Sequence, residues 1–87
     1  MATKKNFYYV LVFTNNGPVY VTSVNNANRV AHWNVEERPY EMGKQYAEEL
    51  AWGLRLNGTH AIAVFNPYEI DTHPYNYEEY ECKFVEK

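Results

Sequence analysis

Seven consecutive apolar residues, Phe7-Tyr8-Tyr9-Val10-Leu11-Val12-Phe13, constrain this chain more than any other feature. Aromatic and β-branched side chains dominate the run and favour extended backbone. In a strand, Phe7, Tyr9, Leu11 and Phe13 share one face, and Tyr8, Val10 and Val12 share the other. A strand that is apolar on both faces needs cover on both sides, so it belongs in the middle of a sheet. The run is far short of the roughly 20 residues a membrane helix requires. No membrane partner is therefore expected.

The rest of the chain supplies what such a strand needs. Asn15-Asn16-Gly17 is a turn signal, and Pro18–Val24 reads as the returning strand of a hairpin. Pro18 cannot donate to a ladder and fits at the strand's start. Asn25-Asn26-Ala27-Asn28 is the next turn. Arg29–Asn34 is expected to be a third strand, with Ala31 and Trp33 on one face. Asn34–Arg38 reads as a loop, and Pro39 can open a helix because its missing N–H costs nothing there. The helix is expected to run to about Asn57, stopped by Gly58. Its stripe is Gly43, Ala47, Leu50 and Leu54, flanked by Tyr46 and Ala51. His60–Phe65 alternates as a buried strand, Tyr68–Tyr77 reads as an ordered loop, and Tyr80, Cys82 and Phe84 mark a final strand. The order β-β-β-α-β-β predicts an α+β fold. One helix lies across one face of a largely antiparallel four- to five-stranded sheet. The 87 residues are expected to form a single domain.

Composition bounds the function. With 46% hydrophobic and 17% aromatic residues, the chain has material for a core and is not expected to be disordered. The N-terminus lacks a small-residue cleavage site, so no secretory signal is expected. Asn57-Gly58-Thr59 is then a chance match to the glycosylation pattern. The lone Cys82 cannot form an internal disulfide, and a reducing, cytoplasmic location is expected.

Charge is unevenly spread. Residues 1–35 carry Lys4, Lys5 and Arg29 and no acid, whereas all eleven acidic residues fall in 36–87. From Glu69 to Glu81 there are five acids and no base, interleaved with Tyr68, Tyr75, Tyr77 and Tyr80. Nucleic-acid backbones are held by Lys and Arg, so this segment points away from direct nucleic-acid binding.

Candidate chemistry is sparse. There is one serine (Ser23), one aspartate (Asp71) and one cysteine. His32, His60 and His73 match no metal-ligand spacing, and the four glycines form no phosphate loop. A Cys82–His73 pair can be drawn, but Cys82 alternates with Tyr80 and Phe84 as a core residue does. The expectation is a protein that is not an enzyme and takes no cofactor or metal.

The back of the helix is more informative. If Ala47, Leu50 and Leu54 face the sheet, Trp52 points nearly the opposite way, with Leu56, Met42 and Gln45 on the same side. Either the Tyr68–Tyr77 segment folds over Trp52, or Trp52 and Leu56 belong to a partner site; Trp and Tyr often dominate interface energies. The second candidate surface is Tyr75, Tyr77, Glu78, Glu79, Tyr80 and Glu81. Tyrosines suit recognition surfaces, and the carboxylates could imitate phosphates in a basic groove. The plainer reading is a charged edge that resists aggregation.

The segments Ala31-His32-Trp33-Asn34, Arg38-Pro39-Tyr40-Glu41, Tyr46–Leu54 and Asn66-Pro67-Tyr68-Glu69 resemble small phage and prophage proteins of Gram-positive bacteria whose function is not known. The resemblance carries over no catalytic residue. It implies a binding protein directed at a host or defence system. Three functions follow. The first is a protein-binding module, an inhibitor of a host protein such as a nuclease with a basic groove. The second is a homo-oligomeric accessory that self-associates through Trp52 and Leu56. The third is a nucleic-acid binder using Tyr8, Tyr20, Lys4, Lys5 and Arg29.

Overall fold

A computed structural model describes residues 7–15, 17–34, 37–65 and 80–86 of the chain. The apolar run forms β1 (Tyr8–Thr14), and the Asn-rich turn returns the chain as β2 (Gly17–Tyr20). β3 (Ser23–Asn25) and β4 (Val30–Trp33) follow, then α1 (Lys44–Leu56), β5 (Ala61–Phe65) and β6 (Tyr80–Lys83). The α+β class and antiparallel pairing agree with the sequence. The single sheet and the β-β-β-α-β-β order do not: four strands precede the helix, and the described residues form two three-stranded sheets, β2-β1-β5 and β3-β4-β6.

The reason lies in residues 17–25. Val19 and Val21 are buried, but the next apolar contact comes from Val24, while Ser23 is exposed. An unbroken strand would place Ser23 on the Val19–Val21 face. The change of parity shows that the backbone turns a corner. On one side of it the Val21 N–H donates to the Val10 carbonyl (2.9 Å); on the other the Thr22 N–H donates to the His32 carbonyl (2.9 Å). One stretch of chain thus begins in the first sheet and ends in the second. The Thr22 hydroxyl holds the joint, donating to the His32 carbonyl (3.2 Å) and accepting from the Asn34 N–H (3.1 Å).

The gap opened by that departure is filled by residues the sequence assigned to the helix. Tyr40 N–H donates to the Val21 carbonyl (2.9 Å), and Met42 exchanges both backbone bonds with Tyr8 (2.8 and 2.9 Å). These bonds hold Tyr40–Met42 extended, so α1 starts at Lys44 and not at Pro39. Gly43 is the exposed N-cap and no part of the stripe. Met42 is buried in the core, not aligned with Trp52. The C-terminus of α1 is as expected. Gly58 takes φ +94°, the Gly58 N–H bonds Arg55 (3.0 Å) and the Thr59 N–H bonds Leu54 (2.9 Å). This left-handed closure satisfies carbonyls that the helix leaves open.

α1 packs on β1 and β5. Ala47, Leu50, Ala51 and Leu54 meet Val10, Val12 and Ala61, and the core continues through Val21 to Ala31, Trp33 and Phe84 of the second sheet. Burying a side chain such as Leu54 stabilises the fold by about 1.5–3 kcal/mol. The residues after β6 cross α1 at Gly53. There the Val85 N–H donates to the Gly53 carbonyl (3.1 Å), and the Asn57 amide donates to the Lys83 carbonyl (3.1 Å). A Cβ on Gly53 would collide with the Val85 carbonyl oxygen. β5 is not the buried strand expected: among the described residues it is the edge of its sheet, and Ile62 and Phe65 are exposed.

Candidate protein-binding surface

The two candidate surfaces are distinct among the described residues. Trp52 is half-buried on the flank of α1 that turns toward the β5 edge. It lines a groove of about 540 Å³ with Gln45, Glu48, Arg55, Ile62 and Ala63. It therefore points to the side of the sheet and not straight away from it. Leu56, one turn on, is 58% exposed, and Ile62 is 39% exposed. Arg55 is fixed in place because its Nη1 donates to the Ala61 carbonyl (2.7 Å). At the other end, the Gln45 amide donates to Glu49 (3.1 Å), an i,i+4 pair.

Of the acidic tyrosine segment, Tyr75, Tyr77, Glu78 and Glu79 lie outside the described residues. So does the Tyr68–Tyr77 segment that was one candidate cover for Trp52. Tyr80 stands opposite Trp33 in the β4–β6 register, and Glu81 stands opposite His32. Glu81 is exposed and lines a shallow groove with Ser23, Asn25, Asn28, Val30 and His32. No residue lines both this groove and the one beside Trp52.

A feature the sequence reading missed is the row Ser23, His32 and Glu81, aligned across β3, β4 and β6. The Ser23 hydroxyl sits 3.3 Å from His32 Nδ1. Cross-strand register brings these side chains together, and no spacing along the chain announces it. Ser23 and Glu81 are both exposed, so the row is a solvated polar face. Among the described residues, no three His, Cys, Asp or Glu side chains converge as a metal site. Cys82 is half-buried against the core, as its alternation implied.

The residues named for nucleic-acid binding are differently placed. Tyr20 is 8% exposed, with its ring 5.7 Å from that of Tyr9. Burial raises its hydroxyl pKa, and the neighbouring Tyr9 adds to the effect. Tyr8 packs on Phe65 (5.0 Å), and Arg29 is paired with Glu86 (2.9 Å). Tyr20 thus presents little open ring face, the Arg29–Glu86 pair is exposed on both sides, and Lys4 and Lys5 lie outside the described residues. No helix among the described residues is long and apolar enough to cross a membrane. No family model, curated protein or solved structure matches the chain.

Proposed function

We propose that this chain is a non-enzymatic protein-binding module whose contact surface is the flank of α1 beside β5. The observation that carries this reading is the groove that Trp52 and Ile62 line between the charged side chains of Glu48 and Arg55, with exposed Leu56 one turn along α1 from Trp52. Large apolar side chains ringed by polar ones are how interfaces combine burial with solubility. The narrower form is a phage-encoded inhibitor that occupies a basic groove on a host or defence protein. It draws on the sequence resemblance and on the acidic C-terminal half. In that form Tyr75, Tyr77, Glu78, Glu79, Tyr80 and Glu81 contribute a second contact region, and the site of action is the cytoplasm.

The test is a photo-crosslinking residue at position 56, compared with one at exposed Glu37 on a separate segment. Capture from position 56 alone, lost in Trp52→Ala protein that melts normally, supports the assignment. If Trp52→Ala lowers the melting temperature while the folded fraction crosslinks as before, Trp52 is a packing residue and the site lies elsewhere.

A further inference from the structure

We propose that the α1–β5 groove is the contact surface of a two-fold symmetric homodimer, in which each Arg55 meets Glu48 of the second copy across a central pair of Trp52 side chains. The proposal rests on the reading of this flank as protein-binding and names its occupant.

The argument starts from spacing on α1. Glu48, Trp52 and Arg55 occupy positions i, i+4 and i+7, which fall along one stripe of a helix. Trp52 lies four residues after Glu48 and three before Arg55. Read in the opposite direction, the stripe has nearly the same spacing with the charges exchanged. A surface of that kind is complementary to itself after a half-turn, the requirement of an isologous interface. Two copies set antiparallel about Trp52 place Glu48 against Arg55 twice. A parallel arrangement would set like charges together.

Within one chain the two charges cannot satisfy each other, since seven residues of helix separate them by about 10.5 Å along the axis. Glu48 and Arg55 are both exposed, and among the described residues neither forms an ion pair. Arg55 is nonetheless oriented: one guanidinium nitrogen is held by the Ala61 carbonyl (2.7 Å), leaving further donors for a carboxylate. A uniformly basic ligand would meet Arg55 at one end of the groove. A uniformly acidic one would meet Glu48 and Glu49 at the other. A second copy matches both ends. Stable interfaces bury roughly 800 Å² per partner, more than a charged stripe alone provides. Leu56 and Ile62, at 58% and 39% exposure, supply apolar area beside it.

The experiment is sedimentation equilibrium on the full chain from low micromolar to millimolar concentration. The expected result is a mass of two chains at the upper end. Glu48→Arg and Arg55→Glu should each weaken the dimer about tenfold or more, and the double variant Glu48→Arg/Arg55→Glu should restore most of it. Arg55→Glu gives up the Ala61 contact, so circular dichroism melts accompany it. Glu48→Arg has no described side-chain bond to lose and carries the test if the other variant misfolds. A single-chain mass at every concentration overturns the dimer. So does a dimer that neither reversal weakens, or a double variant no tighter than the weaker single one. A single-chain mass with position-56 crosslinks to a different protein overturns this inference alone. A single-chain mass with no crosslink overturns the binding reading as well.

Discussion

The two sheets have three strands each and share a stretch of chain, yet they are built on different terms. In the first, Val10, Leu11 and Val12 are all buried in succession, so both faces of β1 are apolar and α1 covers one of them. In the second, Ala31 and Trp33 are buried while Val30 and His32, which alternate with them, are only half so, and Ser23, Asn25, Glu81 and Lys83 face water. The first sheet is held by burial. The second is held by one apolar face, the Thr22 joint and the tail across Gly53. Equal strand counts therefore conceal unequal shares of the stability.

The largest expected effect tests that inequality. Leu54→Ala should cost about 2–5 kcal/mol, the range for a fully buried leucine. Val24→Ala, at a half-buried contact of the second sheet, should cost about 1 kcal/mol. Urea melts that rank the two equally would remove the contrast. Gly53→Ala comes next, at about 1–3 kcal/mol, because the tail backbone must move to admit a methyl group. Its signature is faster amide exchange at Val85, which would lose its bond to Gly53. Unchanged exchange would mean that the tail contributes nothing to holding the second sheet.

These residues also show what the sequence disclosed. The Ala47, Leu50 and Leu54 stripe of the helix and its glycine stop were legible because 3.6-residue periodicity and a left-handed closure are local properties, whereas Gly43 was wrongly counted in that stripe. The central position of β1 was legible because seven apolar residues leave it no wet face. The division into two sheets was visible only as one broken alternation, Val19, Val21 and then Val24, in a segment that otherwise reads as a single strand. The late start of α1 was not legible. Tyr40–Met42 is held extended by Tyr8 and Val21, partners that no local pattern identifies. Of the candidate site, Trp52 and Leu56 could be read from helical geometry. The neighbours that make the groove, Ile62 and Ala63, arrive through tertiary packing of β5.

The joint between the sheets yields a smaller prediction. Thr22→Val keeps the shape but removes both hydroxyl bonds, leaving the Asn34 N–H without the partner described here. A loss of about 1–2 kcal/mol is expected. Heteronuclear spectra should place the changes in β4 and leave β5 unaffected. Changes spread evenly over both sheets would show that the joint is not a local element.

The smallest effect concerns pH. Burial, with help from Tyr9, raises the Tyr20 pKa above 10.0; burial, followed by Tyr40, does the same for Tyr46 against a lowering hydrogen bond from Asn26. The fold holds both hydroxyls neutral after the unfolded chain begins to ionise. Their contribution is complete below pH 10 and is lost as pH climbs through the raised folded values. The Tyr20 hydroxyl is also buried with no hydrogen-bond partner among the described residues. Tyr20→Phe should therefore be neutral or slightly stabilising at pH 7 and should flatten the alkaline decline. A steeper decline in that variant would mean that folding lowers the Tyr20 pKa instead of raising it.

The stretch from Gly17 to Asn25 serves both sheets, and this ties their errors together. In an isolated sheet, a slip of one residue turns one strand's side chains to the wrong face. Here a slip between β1 and β2 would also displace β3 against β4, because the same peptide carries both registers. Misalignment would expose Val19 and Val21 in one sheet and Val24 in the other at a single stroke. Half-correct pairings gain little under that arrangement, so the shared stretch of chain acts as a check on alignment across both sheets.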